Sequence, residues 1–229
     1  MRVRWIVVTL AVLAVGFWAI RMVDADVVVA LVAAVALLVV GRVSGLSWEQ
    51  IGFGRTTWRT GLLWAAGAFA LVGLVYTVML LTPFDQVFND DRYDDGWSQA
   101  WTTALVVIPL GTVVWEEIGF RGVLWAQLRK RWSSRTATLV SSALFGVWHA
   151  LPALAFADSN HAADTVTDTV PDAQAVTIGT VVVTIIVTAL AGGVLCEVRR
   201  RSNSLLAPIG LHWAANGLGV IAVAIANSS

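Results

Sequence analysis

Seven apolar runs dominate the chain, at roughly residues 5–20, 27–40, 61–81, 97–128, 136–156, 176–198 and 205–226. About 20 such residues in a helix cross a hydrocarbon core of about 30 Å, where backbone polar groups must find their partners within the helix itself. The expected fold class is therefore all-α: a polytopic transmembrane helix bundle of about seven spans, forming one integral-membrane domain over residues 1–229. Composition agrees, since 58% of residues are hydrophobic and only 13% charged, against about a quarter charged in soluble proteins. The second run is short. The fourth is too long for a simple span, so Val123–Arg131 is expected to emerge into the headgroups.

Loop charges give an independent check, because Lys and Arg accumulate on the cytoplasmic side. Arg2, Arg4, Arg42, Arg55, Arg59, Arg129, Lys130, Arg131, Arg135 and Arg199–Arg201 fall at the N-terminus and in the second, fourth and sixth loops. The first, third and fifth loops carry mostly aspartates, among them Asp24, Asp85, Asp90, Asp158 and Asp172. This alternation predicts a cell-membrane protein with its N-terminus cytoplasmic and its C-terminus outside. The first span also loosely fits a cleaved signal peptide, with Arg2 and Arg4 as the basic region, but Arg21 and Asp24 interrupt the approach to the cut. Trp5, Trp18, Trp58, Trp97 and Trp132 suit interfacial belts. The segment from Leu46 to Arg59 mixes aromatics with charge and reads as an interfacial helix.

Several classes are excluded. Fifteen basic and fifteen acidic side chains cancel, so no nucleic-acid partner is expected. One cysteine, Cys196, permits neither an internal disulfide framework nor a cysteine metal cluster. No internal repeat supports a transporter of inverted-repeat type, and no feature sets an oligomeric state.

A few polar groups interrupt the apolar runs: Glu116, Glu117 and Arg121 in the fourth, His149 in the fifth, His212 and Asn216 in the seventh. An ionised group at mid-bilayer costs about 2.5 to 3.5 kcal/mol even on the gentlest scale, and such residues face the bundle interior. Counted from the cytoplasmic end of each span at about 1.5 Å per residue, Glu116, His149 and Asn216 lie roughly 18 to 20 Å deep and His212 about 12 Å. One shared site is expected. Residues four apart share a helix face, so Glu117 pairs with Arg121, Phe145 lies over His149 and His212 aligns with Asn216. Glu116, about 100° round the helix, is left to act elsewhere. Trp115, Trp148 and Trp213 read as packing residues, Ser141 and Ser142 as small contact residues, and His161 as a solvated loop histidine. Gly119, Gly122, Gly146, Gly210 and Gly217 mark close helix approaches, and Pro208 is expected to bend the last span.

In order along the chain stand Glu-Glu-Ile-Gly-Phe-Arg-Gly around Glu116, Phe-Gly-Val-Trp-His ending at His149, and His-Trp-Ala-Ala-Asn from His212. This resembles the EExxxR, FxxxH and HxxxN/D motifs of the CPBP family (the CAAX proteases and bacteriocin-processing enzymes, or Abi family) over about residues 97–226. The resemblance implies an intramembrane endopeptidase similar to type II CAAX prenyl proteases, acting near the cytoplasmic leaflet on a peptide or membrane-protein substrate. By position, Glu116 would activate water with help from His149, while His212 and Asn216 would stabilise the oxyanion. Glu117 and Arg121 would hold the helix and tune the acid.

The chemistry is coherent without the resemblance. Amide hydrolysis needs a deprotonated water, a donor for the oxyanion and a proton for the leaving amine. No Gly-x-Ser-x-Gly elbow offers a serine nucleophile. Two mechanisms remain open: direct activation by Glu116 with no required cofactor, or a Zn ion held by Glu116, His149 and His212. The absence of an HExxH helix favours the first. Outside proteolysis, buried Glu, His and Arg also suit a proton-coupled transporter, or a non-catalytic membrane partner or immunity protein.

Overall fold

The computed structural model of the chain describes residues 3–23, 26–88, 96–159 and 173–228. Among them every regular element is helical. We label these α1 (Arg4–Met22), α2 (Asp26–Val43), α3 (Trp48–Ile51), α4 (Trp58–Leu80), α5 (Trp97–Arg129), α6 (Ser134–Trp148), α7 (Ala150–Ser159), α8 (Ala173–Ser202) and α9 (Leu206–Asn227). Among the described residues, six helical stretches are long and apolar enough to cross a bilayer, and Val27–Val43 is a shorter apolar helix. All seven expected runs are helical, and the protein is a multi-pass membrane protein. His161 and most of the acidic third and fifth loops lie outside the described residues.

The chain divides into two compact units, Met1–Arg131 with Val198–Ser229, and Trp132–Glu197. In the first, α5 is the central element: every residue from Trp115 through Leu128 is buried. A helix covered all round is a core helix, and glycines let its neighbours close in. A Cβ on Gly119 would come within 2.6 Å of Leu13 on α1, and one on Gly122 within 3.3 Å of Leu205. Helix α9 packs on α4 in the same way, with the Cβ position of Gly210 only 2.7 Å from the Ala65 Cα.

The last turns of α5, expected to emerge into the headgroups, are covered by protein as far as Leu128. Their polar groups are bonded to protein: Thr9 Oγ1 donates to Gln127 Oε1 at 3.0 Å, and Gln127 Nε2 donates to Ser44 Oγ at 3.3 Å. Gln127 is fully buried, and exposure begins only at Arg129. Helix α3 is closed by a capping box between Ser47 and Gln50, and ends on Gly52 at φ 105°. Its Ile51 is buried while Trp48 is exposed. The Gly52 carbonyl accepts from Leu205 N at 2.8 Å, joining this short helix to the start of α9. Pro208 stands in the first turn of a helix that begins at Leu206, where a proline costs no backbone hydrogen bond.

In the second unit, Ser133 caps α6 by accepting from Thr136 N. Gly146 lets α6 approach α8 closely, its Cβ position lying 2.5 Å from the Ile185 carbonyl oxygen. Ser141 and Ser142 are buried, as small contact residues should be.

Crowding at Gly210 involves neighbouring backbone, which moves only if the helices separate. Gly210→Ala is expected to cost about 1 to 3 kcal/mol, read as a lower unfolding midpoint of the detergent-solubilised protein. Gly67→Ala, on α4 with open space around its Cβ position, should be neutral or stabilising by up to about 1 kcal/mol.

Candidate active site

Helix α5 is not uniformly wound. Wide turns with i→i+5 hydrogen bonds occupy Thr103–Val113 and Ile118–Leu124, closed by Val114 N–H to Pro109 O and Trp125 N–H to Phe120 O. Pro109 lacks the N–H that a regular turn would use. Between the two stretches, a single α-helical turn, Val114–Glu117, carries both acids. Wide turns of this kind occur frequently at functional sites. Here the irregularity flanks the chemistry-bearing residues on both sides.

Glu116 is 5% exposed, and Glu117 and Arg121 are fully buried. Arg121 Nη1 donates to Glu117 Oε1 at 2.9 Å, the expected i,i+4 ion pair. The same oxygen lies 2.9 Å from His212 Nδ1 on α9. A carboxylate oxygen only accepts, so the imidazole donates from Nδ1, and the chemistry of His212 falls to its Nε2. One buried oxygen thus holds both a guanidinium and an imidazole. The sequence reading matched the ion pair but missed the imidazole: Glu117 does more than hold its own helix. The other oxygen, Oε2, is buried and makes no hydrogen bond among the described residues.

Neighbouring contacts set the rotation of α9. Trp213 Nε1 donates to the Ala104 carbonyl at 2.8 Å, and its ring meets Phe69 edge-on at 5.0 Å. Tyr76 Oη donates to the Ala215 carbonyl at 3.0 Å. With α9 so turned, His212 is buried and Asn216, one turn on, is exposed. Trp115 packs beneath α1, its ring 3.3 Å from the Cβ position of Gly16. These two tryptophans are packing residues, as expected.

In the second unit, the Phe145 and His149 rings meet edge-on at 4.5 Å. The sequence suggested an unbroken span here, but the winding tightens at His149. Its backbone N–H bonds to Gly146 O, and its ring Nδ1 lies 2.8 Å from the Phe145 carbonyl. A carbonyl only accepts, so Nδ1 carries the proton and Nε2 is the nitrogen left for chemistry. His149 therefore takes the same tautomer as His212, selected by a different acceptor.

In the first unit, the structure brings Glu117, Arg121 and His212 into direct contact, with Glu116 next to Glu117 on the same short turn. His149 and Phe145 form their own pair. Among the described residues, no three His, Cys, Asp or Glu side chains gather as a metal ion would need.

Residues 97–218 match the family model described as type II CAAX prenyl endopeptidase Rce1-like. No curated protein and no solved structure matches the chain. The matched span begins with α5 and takes in Glu116, Glu117, Arg121, His149, His212 and Asn216.

Arg121→Met leaves Glu117 as a buried anion without its cation and should destabilise by about 3 to 5 kcal/mol. Adding Glu117→Gln in the same chain should recover most of that loss. Thermal unfolding of the purified single and double variants measures both effects.

Proposed function

This chain belongs to the Rce1-like family of type II CAAX prenyl endopeptidases, and from that premise we propose that it is an intramembrane endopeptidase whose attacking water is activated by Glu116. The observation that carries the reading is the acid pair on the buried turn of α5, one member of which is committed to positioning His212. The division of labour is chemical. Glu117 is engaged by Arg121 and His212, and the order of the family motifs gives the proton-transfer role to Glu116.

Glu116 takes a proton from water as the oxygen attacks the scissile carbonyl carbon, with His149 assisting through Nε2. The carbonyl oxygen becomes an oxyanion, and His212 and Asn216 donate to it. Preorganised donors of this kind are among the largest single contributions to catalysis. As the C–N bond breaks, Glu116 returns the proton to the leaving nitrogen, and a carboxylate and an amine are released. The roles of His149 and Asn216 rest on the order of the sequence motifs. The substrate is a membrane-anchored peptide or membrane protein, cut near the cytoplasmic leaflet, with the N-terminus of the enzyme on that side in the cell membrane. A prenylated C-terminal tail is the substrate class carried by the family description.

Glutamate activation is favoured over Zn by the family resemblance. The absence of an HExxH helix points the same way.

Three outcomes are expected. Membranes from cells making the native protein should contain a new peptide terminus that is absent with Glu116→Gln, while both proteins unfold at the same temperature. Asn216→Ala should lower kcat about 10²- to 10³-fold, the usual loss of one oxyanion donor. Cleavage by the purified enzyme should persist after treatment with a strong chelator; activity lost and then restored by Zn would return the metal mechanism.

A further inference from the structure

Helices α1 and α2 enclose a groove of about 410 Å³, lined only by valine, alanine and glycine, including Val8, Val12, Val15, Gly16, Val32 and Ala33. Its floor is thin. The Cβ position of Gly16 lies 3.1 Å from Ala33 Cβ and 3.3 Å from the Trp115 ring, and Trp115 immediately precedes Glu116. Its mouth is open, with Val15 69% and Val32 64% exposed.

Three observations together specify an occupant. The α1 wall runs from Val8 to Ala19, about 16 Å at 1.5 Å per residue, which is about half of a hydrocarbon core of about 30 Å. That is the depth of one leaflet, and so of one lipid tail. At the N-terminal end of the wall, one turn before Val8 on the same face, stands exposed Arg4, with the Trp5 ring 5.2 Å from its guanidinium. A cation beside an interfacial aromatic is suited to a lipid phosphate. Finally, Trp115 faces α1 while Glu117 faces α9, consistent with positions two residues apart on a helix, about 200° around. The groove therefore opens on the side of α5 away from His212, which argues against the tail of a substrate undergoing cleavage.

We propose that the α1–α2 groove is a binding site for one acyl chain of a membrane phospholipid whose phosphate is held at Arg4, and that this chain buttresses the Gly16–Trp115 floor beneath the acid-bearing turn. The site is separate from the peptidase reading, and its test needs no cleavage.

The experiment is native mass spectrometry of the full-length, delipidated protein in detergent, titrated with phosphatidylglycerol carrying 16- to 18-carbon chains. The wild type should show one tight site. Val15→Trp fills the groove from an exposed position without entering the core, and should weaken that site at least tenfold. Arg4→Gln should weaken it about fivefold, the effect of one cation at a lipid surface. Unchanged affinity in Val15→Trp would overturn the site. Loss in Val15→Trp with none in Arg4→Gln, or displacement of the phospholipid by a farnesylated peptide, would overturn the phospholipid as occupant.

Discussion

A single carboxylate oxygen, Glu117 Oε1, accepts from both Arg121 and His212 at 2.9 Å. In water this would be a minor contact. Within a membrane bundle it is close to obligatory: a buried guanidinium needs an anion, a buried carboxylate needs donors, and there is little solvent to supply either. Once the pair exists, the imidazole that joins it is restricted in both position and tautomer. In the proposed reading the acid next in sequence, Glu116, carries the proton transfer. Structure and chemistry meet at the same atom.

The rest of the first unit serves to keep that atom in place. Helix α5 is enclosed from Trp115 through Leu128, with glycines admitting α1 and the start of α9 and the Thr9–Gln127–Ser44 hydrogen bonds fastening its end. Trp213 and Tyr76 fix the rotation of α9, so His212 turns inward. Irregular winding is confined to where it has a use. The wide turns of α5 flank the acids, and the tightened turn at His149 gives its ring a carbonyl to bond. The two histidines reach the same tautomer by unrelated means, one from a side-chain carboxylate and one from its own helix backbone.

Most of the architecture was legible because the bilayer imposes a coarse rule on sequence. Apolar runs mark spans, and an ionisable residue inside one stands out, so Glu116, Glu117, Arg121, His149 and His212 could be singled out with no structure. The Glu117–Arg121 pair followed from i,i+4 spacing. What escaped depended on exact winding. A constant 100° per residue does not hold through wide turns, so phase along α5 could not say which acid meets α9. Pro109 was a usable signal for that irregularity, whereas nothing in the residues around His149 announced its tighter turn. The effect of Pro208 depends on where the helix starts, which the residues alone do not mark. The covering of Val123–Leu128 depended on Thr9 and Ser44, far away in sequence and individually unremarkable.

The protonation of one ring tests the Glu117–His212 contact most directly. ¹⁵N NMR of ring-labelled histidine in the detergent-solubilised protein, with the His212 signals assigned by comparison with His212→Gln, reads it. His212 is expected to carry its proton on Nδ1, hydrogen-bonded to Glu117, with Nε2 unprotonated when the ring is neutral. A neutral His212 protonated on Nε2 and bare at Nδ1 would contradict it.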